Sequence, residues 1–399
     1  MSQRSVLITG CGIVSAIGLD CGQVLDSLLQ VRTGVGPLKY LKTEHTEFPV
    51  GEVKLSDEEM ERMMGLAPGT PTTRTALMGM IALHEALGEA KLSREDLKEC
   101  GFVNGTTVGG MDKSEQYYLD FIENDSRNAY INTHDCGSCS EMIADRFGKF
   151  KMITTISTAC SSAANAIEMA ADMIRLGEAD IVVAGGSECI TKFHLNGFNS
   201  LMILDHDQCR PFDANRAGLN LGEGAAFVVL EEAGHAAARN AKALARLSGY
   251  GNACDAFHQT ASSPDGEGAY LAMTKALAEA GLKPGDIDYV NAHGTGTPNN
   301  DESESQAMKR LFGSKIPPVS STKSMTGHTT SASGAIETVI CILALRNGFI
   351  PVNYAFENPM ENGIVPNMDL HKGYQLRHVL CNSFGFGGND TSLVLSAVE

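Results

Sequence analysis

The chain has 399 residues, of which 43% are hydrophobic and 20% charged. That balance excludes a disordered chain, and a charged share below the usual roughly 25% predicts extensive buried surface. Against 48 Asp and Glu stand 31 Lys and Arg, a net charge of −17, which excludes a general binder of nucleic acid or anionic membrane.

No apolar run reaches the roughly eighteen residues of a membrane span. The opening MSQRSVLITG lacks the apolar core and cleavage site of a secretion signal. The eleven cysteines are odd in number and irregularly spaced. With no export signal they read as reduced thiols, so a cytoplasmic location is expected.

In chain order, short apolar runs predict strands at 6–9 (VLIT), 102–105, 153–157, 180–186, 225–231, 289–292 and 392–398. Helical periodicity covers 73–91, 161–177, 267–281 and 332–347, and EEAGHAAARNA predicts a further helix over 231–241. Strands alternating with helices predict an α/β fold with mostly parallel sheets covered on both faces. No low-complexity linker divides the chain, so two domains would be packed together. The segments SAANAIE (162–168) and SASGAIE (331–337) share five of seven residues, and each opens a helix. This internal repeat predicts two similar halves, 1–245 and 246–399.

Four segments carry groups suited to chemistry. ITTISTAC runs straight into SSAANAIEMAADMIRLG, which sets Cys160 on a strand-to-helix turn. A helix start favours the reactive thiolate, and the small neighbours Ala159, Ser161 and Ser162 permit close approach. Read locally, Cys160 is either a nucleophile or a buried structural thiol. NAHGTGTPNND (291–301) places His293 after a strand in a loop rich in amides and hydroxyls. SSTKSMTGHTTSASGAIE (320–337) brings Lys323 and His328 to a helix entrance, with Glu337 inside the helix. NSFGFGGND (382–390) is a glycine turn that can aim an amide at an oxyanion, with Phe384 and Phe386 walling an apolar channel.

Two weaker signals point elsewhere. CGSC, with Cys136, Cys139 and the preceding His134, suits a helix entry, a redox pair or part of a zinc site, but no second CxxC completes a ribbon. TGCGIVSAIG (9–18) approaches a dinucleotide-binding loop but has Ser15 at the last glycine position.

Taken together, VLITGCGIVSAIG, TACSS, VVAGGSE, RPFDANRAGLNLGEGAA, NAHGTGTP, KSMTGH and NSFGFGG resemble the decarboxylating β-ketoacyl-acyl carrier protein synthases of the type I/II branch. The resemblance runs nearly end to end. It implies the thiolase fold, two βα halves in five αβαβα layers. One Cys with two His separates this branch from type III synthases, which use Cys, His and Asn, and from thiolases, which use a second Cys.

The resemblance also implies roles. Cys160 would accept an acyl chain from an acyl carrier protein, and His293 and His328 would hold a malonyl thioester as it loses CO₂. The amides of Cys160 and Phe386 would form the oxyanion hole. Lys323 would be a fixed charge supported by Glu337. Thr295, Thr297 and Thr260 would bind the phosphopantetheine arm of the carrier, so no separate cofactor or metal is expected. Phe386 would gate the acyl pocket and Val108 would limit its depth. A homodimer is implied.

Departures from the family pattern stand out. GFGGTN becomes GFGGND, with Asn389 and Asp390, and LLGAAG after KSMTGH becomes TTSASG. SDEEMERMMGLAP (56–68), where relatives carry basic docking residues, has only Arg62, with Arg74 further on. Two other readings compete with an elongating synthase. One is a non-catalytic, chain-length-determining partner subunit, which would lack the nucleophile. The other is a thioester hydrolase or a decarboxylase that only removes CO₂.

Overall fold

The computed structural model describes residues 4–398; residues 1–3 and 399, the outermost ends of the two expected halves, lie outside it. In chain order the strands are β1 (Val6–Ser15), β2 (Gly101–Gly105), β3 (Met152–Ile156), β4 (Ile181–Glu188), β5 (Gly224–Glu232) and β6 (Ala245–Cys254). They continue with β7 (Tyr289–Asn291), β8 (Val319–Ser320), β9 (Phe349–Ile350), β10 (His371–Lys372), β11 (His378–Gly385) and β12 (Asn389–Ser396). Among the described residues, β9 and β10 pair only with each other, and the remaining strands form one hydrogen-bonded sheet in the order β3-β2-β4-β5-β1-β6-β12-β11-β7-β8.

Read inward from either end, that order repeats itself. β3-β2-β4-β5-β1 and β8-β7-β11-β12-β6 have the same pattern of parallel outer and antiparallel inner ladders. The two half-sheets meet where residues 6–8 of β1 pair with 245–247 of β6. The expectation of mostly parallel sheets is therefore corrected. Only the outer ladders arise from βαβ crossovers, which force parallel pairing. β12 returns on β11 through the turn 386–388, and a hairpin is necessarily antiparallel.

Helices complete five layers. Arg74–Ala90 covers the outer face of the first half-sheet and Glu267–Ala280 that of the second. Ser162–Leu176 and Ser333–Asn347 lie side by side between them. Ser162–Leu176 buries Ala163, Ala166, Ile167, Ala170 and Ile174, a stripe at helical spacing. Ser333–Asn347 is buried on all sides from Ser333 to Leu345, as a helix sandwiched by sheets must be. Each of these central helices ends on a left-handed glycine, Gly177 (φ 78°) or Gly348 (φ 63°).

Several elements differ from expectation, among them β1, which runs on past the expected 6–9 to Ser15. Glu231 and Glu232 still belong to β5, so the expected 231–241 helix is only Ala233–Ala238, with Glu232 capping the His235 amide at 2.9 Å. β6 was not expected, because Gly249 and Gly251 interrupt its apolar pattern. Packing explains those glycines. A Cβ on Gly249 would stand 2.4 Å from the Ala276 carbonyl, and one on Gly251 would stand 2.5 Å from the Ala272 carbonyl. Gly10 and Gly12 of β1 meet Ala86 and Ala82 in the same way, at 2.4 and 2.1 Å. The glycines of TGCG thus let a helix backbone lie against the strand, which accounts for the resemblance to a dinucleotide loop.

Candidate active site

The nucleophile candidate sits on a strained corner. β3 ends at Ile156, Ala159 adopts a left-handed conformation (φ 52°), and Cys160 then leads into the Ser162–Leu176 helix. Such a conformation costs about 1–2 kcal/mol per residue without glycine, so its surroundings must hold it. The Ser162 hydroxyl accepts from the Thr158 amide at 2.9 Å and donates to the Ala159 carbonyl at 2.6 Å. Ser161 Oγ lies 2.8 Å from the Thr158 carbonyl and 2.7 Å from Asn389 Oδ1, so its one hydrogen is shared between these two acceptors.

His328 arrives from the other half of the chain. Its Nε2 lies 3.1 Å from Cys160 Sγ and its Nδ1 lies 3.0 Å from Ser333 Oγ. The His328 amide donates to the Asn220 carbonyl at 2.7 Å, and its own carbonyl accepts from the Gly222 amide at 2.9 Å. The GLNLGEG stretch of the long RPFD motif is thus the rail on which this histidine is mounted. His293 stands beside it, ring centroids 5.3 Å apart and nearly perpendicular, with Phe384 packed 5.8 Å away. Among the described residues, His293 Nδ1 is buried without a hydrogen-bond partner. A buried orphan acceptor or donor of this kind points to a ligand atom.

Two buried charges support the His293 loop. Glu304, on the helix Pro298–Phe312, accepts from the His293 and Gly294 amides at 2.9 and 2.8 Å. The Lys323 ammonium donates to the His293 carbonyl at 2.6 Å and is ion-paired with Glu337. Glu304 was not foreseen; its signal was a carboxylate eleven residues after His293 on the next helix.

Electrostatics follow from burial. Both imidazoles are held well below the usual histidine range, first by desolvation and then by the Lys323 charge, so both are neutral. Burial pushes Cys160 up to about 12, although Lys323 and a hydrogen bond from the Phe386 amide pull the other way. The expected thiolate-favouring environment is therefore outweighed by desolvation, and the thiol is the resting form. Burial also outweighs Lys323 at Glu337, which is raised to about 7.

Cys160, His293 and His328 open into one cavity of about 270 Å³. Thr260, Ser262, Thr295, Thr297 and Asn299 line its polar side. Phe198, Ile203, Leu219, Phe384 and Phe386 line its apolar side. Phe386 stacks on Phe198 at 5.8 Å, an aromatic pair the sequence did not reveal. Val108 does not line this cavity. It is buried in the first-half core, and its amide donates to Glu188 at 3.3 Å.

The turn after Phe386 is anchored by Asn389, whose Oδ1 accepts from Ser161, Asn165 and Asn252 at 2.7, 2.8 and 2.9 Å. Arg74 is buried and bound to Glu223 and Asp57, so it presents no charge for docking, whereas Arg62 is exposed. CGSC opens the helix Cys136–Asp145, capped by Asp135 at the Gly137 amide.

A cysteine and two neutral histidines from distant segments of the chain thus meet in one cavity of a duplicated five-layer fold of the thiolase type. Residues 3–236 match the β-ketoacyl synthase N-terminal domain, and residues 244–357 match the β-ketoacyl synthase C-terminal domain. The chain belongs to the β-ketoacyl synthase family. It is 35% identical over 410 residues to nodulation protein E of Rhizobium meliloti (strain 1021), covering 99% of this chain and 100% of that one. It is also 35% identical over 417 residues to 3-oxoacyl-[acyl-carrier-protein] synthase 2 of Coxiella burnetii, covering 100% of both. Among solved structures, the ishigamide ketosynthase/chain length factor superposes with a TM-score of 0.92 at 31% identity, covering 100% of both chains.

Proposed function

We propose that Cys160 carries the acyl chain and that His293 and His328 act on the malonyl unit. The observation behind this reading is the 3.1 Å contact of His328 Nε2 with Cys160 Sγ in a cavity where His293 Nδ1 has no protein partner. The chain is an acyltransferase that performs decarboxylative Claisen condensation, as its family does.

In the proposed sequence, Cys160 sulfur attacks the carbonyl of an acyl-carrier thioester. The carrier thiol leaves with the proton, and the acyl group becomes a Cys160 thioester. The amides of Cys160 and Phe386 stabilise the oxyanion of that step. A malonyl thioester then takes the place of the first carrier. Its carbonyl oxygen accepts hydrogen bonds from His293 and His328, which strengthen as CO₂ departs and charge builds on that oxygen. The enolate carbon attacks the Cys160 thioester, forms the new C–C bond and breaks the C–S bond, and the Cys160 thiolate so released takes a proton from solvent to regain its resting thiol. Dividing the reaction at a covalent intermediate replaces one difficult step by two easier ones.

The carrier partner and its phosphopantetheine arm are part of the same proposal. Thr260, Thr295, Thr297 and Asn299 offer a row of donors and acceptors suited to the amides of that arm. The proposal keeps Phe386 as the gate and places Glu337 as support for Lys323. Residues 1–245 and 246–399 are proposed as the two halves. A homodimer in the cytoplasm is proposed, the dimer being supported by the partly exposed edge strand β3, which among the described residues pairs only with β2. Among the described residues, no helix is long and apolar enough to cross a membrane. The presence of Cys160 argues against the non-catalytic subunit reading.

The test is intact-mass analysis after incubation with a panel of acyl-carrier thioesters. A stoichiometric adduct mapping to Cys160, absent from Cys160→Ser, is expected. Condensation by Cys160→Ser would overturn the nucleophile assignment, and loss of CO₂ without a longer product would favour the decarboxylase reading.

A further inference from the structure

His328 is held from behind by two hydroxyls. Ser333 Oγ lies 3.0 Å from His328 Nδ1 and 3.2 Å from Thr329 Oγ1. All three residues are buried. Each hydroxyl has one hydrogen to give, and each buried hydrogen needs an acceptor.

Only one direction satisfies both. Among the described residues, the Thr329 hydroxyl has Ser333 Oγ as its hydrogen-bond partner. If Ser333 donated to Thr329, the Thr329 hydrogen would be buried without an acceptor. If Thr329 donates to Ser333, the Ser333 hydrogen is free for His328 Nδ1, and nothing is left unpaired. Nδ1 is then the acceptor of a neutral ring, and the ring proton sits on Nε2, facing Cys160 Sγ at 3.1 Å.

We propose that Ser333 and Thr329 are positioning residues that fix His328 as its Nε2–H tautomer. A neutral imidazole can only donate to a developing oxyanion from the nitrogen that bears the proton. Without the hydroxyl pair, either tautomer is open to His328, and the one with Nδ1–H places a lone pair where a donor is required. Both hydroxyls stand where the family pattern LLGAAG has Leu and Ala, so this chain reaches the tautomer by side chains of its own.

The structural part of the proposal is independent of the reaction, and its kinetic part rests on the function proposed above. Nitrogen-15 correlation spectra of histidine-labelled protein, with His328 assigned by difference from His328→Gln, should show the Nε2–H pattern. Ser333→Ala should lose that pattern in favour of a mixture, and Ser333→Thr should restore it. Decarboxylation of malonyl thioester by Ser333→Ala should show kcat lowered about tenfold, as for one misdirected hydrogen bond, with KM nearly unchanged and rescue by Ser333→Thr.

An Nδ1–H pattern in the unaltered protein would overturn the assignment, as would an Nε2–H pattern undisturbed in Ser333→Ala. Should Ser333→Ala not fold, Thr329→Val provides the second variant, with the same shift expected. Correct tautomers with no decarboxylation by any variant would leave this proposal standing and overturn the functional one.

Discussion

Asn389 Oδ1 accepts a hydrogen bond from the hydroxyl of Ser161, the residue after Cys160, at 2.7 Å. The same oxygen takes donors from Asn165 and Asn252, so the glycine turn, the Cys160 helix and β6 meet at one atom. This joins the Phe386 amide to the corner that carries Cys160. Asn389→Ala would remove the shared acceptor and leave Ser161 and Asn165 to Thr158 and Asn252 to Thr391, costing about 0.5–1.5 kcal/mol of stability. It should also lower condensation about tenfold by loosening the oxyanion geometry, against 10²–10³ for outright loss of one such donor. Chemical denaturation and steady-state kinetics check the two parts, and Asn389→Asp, which keeps the acceptor, should suffer less.

Lys323→Met tests the charge under the site. The Lys323 ammonium helps keep both imidazoles neutral, and without it each protonates at higher pH. The acid limb of the rate profile should therefore move to higher pH. The same ammonium lowers the Cys160 pKa, so iodoacetamide should alkylate the variant more slowly at a given pH. An unmoved acid limb would show that the lysine acts only as a strut.

Asp390 gives a stability signature with a defined sign. It is buried beside Asp255 and Glu304, and desolvation with that repulsion pushes it up to about 8. The unfolded chain releases the same proton near pH 4. Between these values the folded state holds the extra proton, so stability falls as pH rises and levels off above about 8. Asp390→Asn should remove this loss, and its advantage in denaturant midpoint should grow across that window.

Phe386→Ala removes the ring that stacks on Phe198 at the cavity wall. Acyl loading should broaden in chain length and slow, because the wall no longer closes behind the substrate. Product profiles from mixed acyl-carrier pools measure this. An unchanged profile at unchanged rate would remove Phe386 from the gate.

Gly251→Ala addresses the fold rather than the site. The added methyl group meets the Ala272 carbonyl at 2.5 Å, and backbone on both sides must yield. A loss of about 1–3 kcal/mol is expected from overpacking, read as a lower denaturant midpoint. The equivalent change at Gly12 should behave alike.

The layers and the three residues that meet in the cavity were legible because short motifs carried them. Cys160, His293 and His328 each stand at a strand or helix end within distinctive small-residue segments. What escaped was set by distant packing. β6 was hidden because its glycines serve a helix on its face, not a turn. The anchoring role of Asn389 was hidden because Ser161 lies 228 residues away, whereas Glu304 stands only eleven residues after His293 and was passed over as a solvated helix carboxylate. Cys160 combined both effects, since its helix start was visible but the burial that raises its pKa was not.

β1 is the earliest strand in the sequence and lies in the middle of the finished sheet. Its residue Ser15 pairs with Gly224 and its residue Val6 with Leu247. During synthesis an apolar ten-residue segment with two open edges must wait until β5 and β6 have been made. Such a segment is the kind that pairs with other chains, and long-range pairing is slow. Soluble yield in a cell should thus follow the pace of translation and the supply of chaperones more closely than it follows the stability of the finished protein.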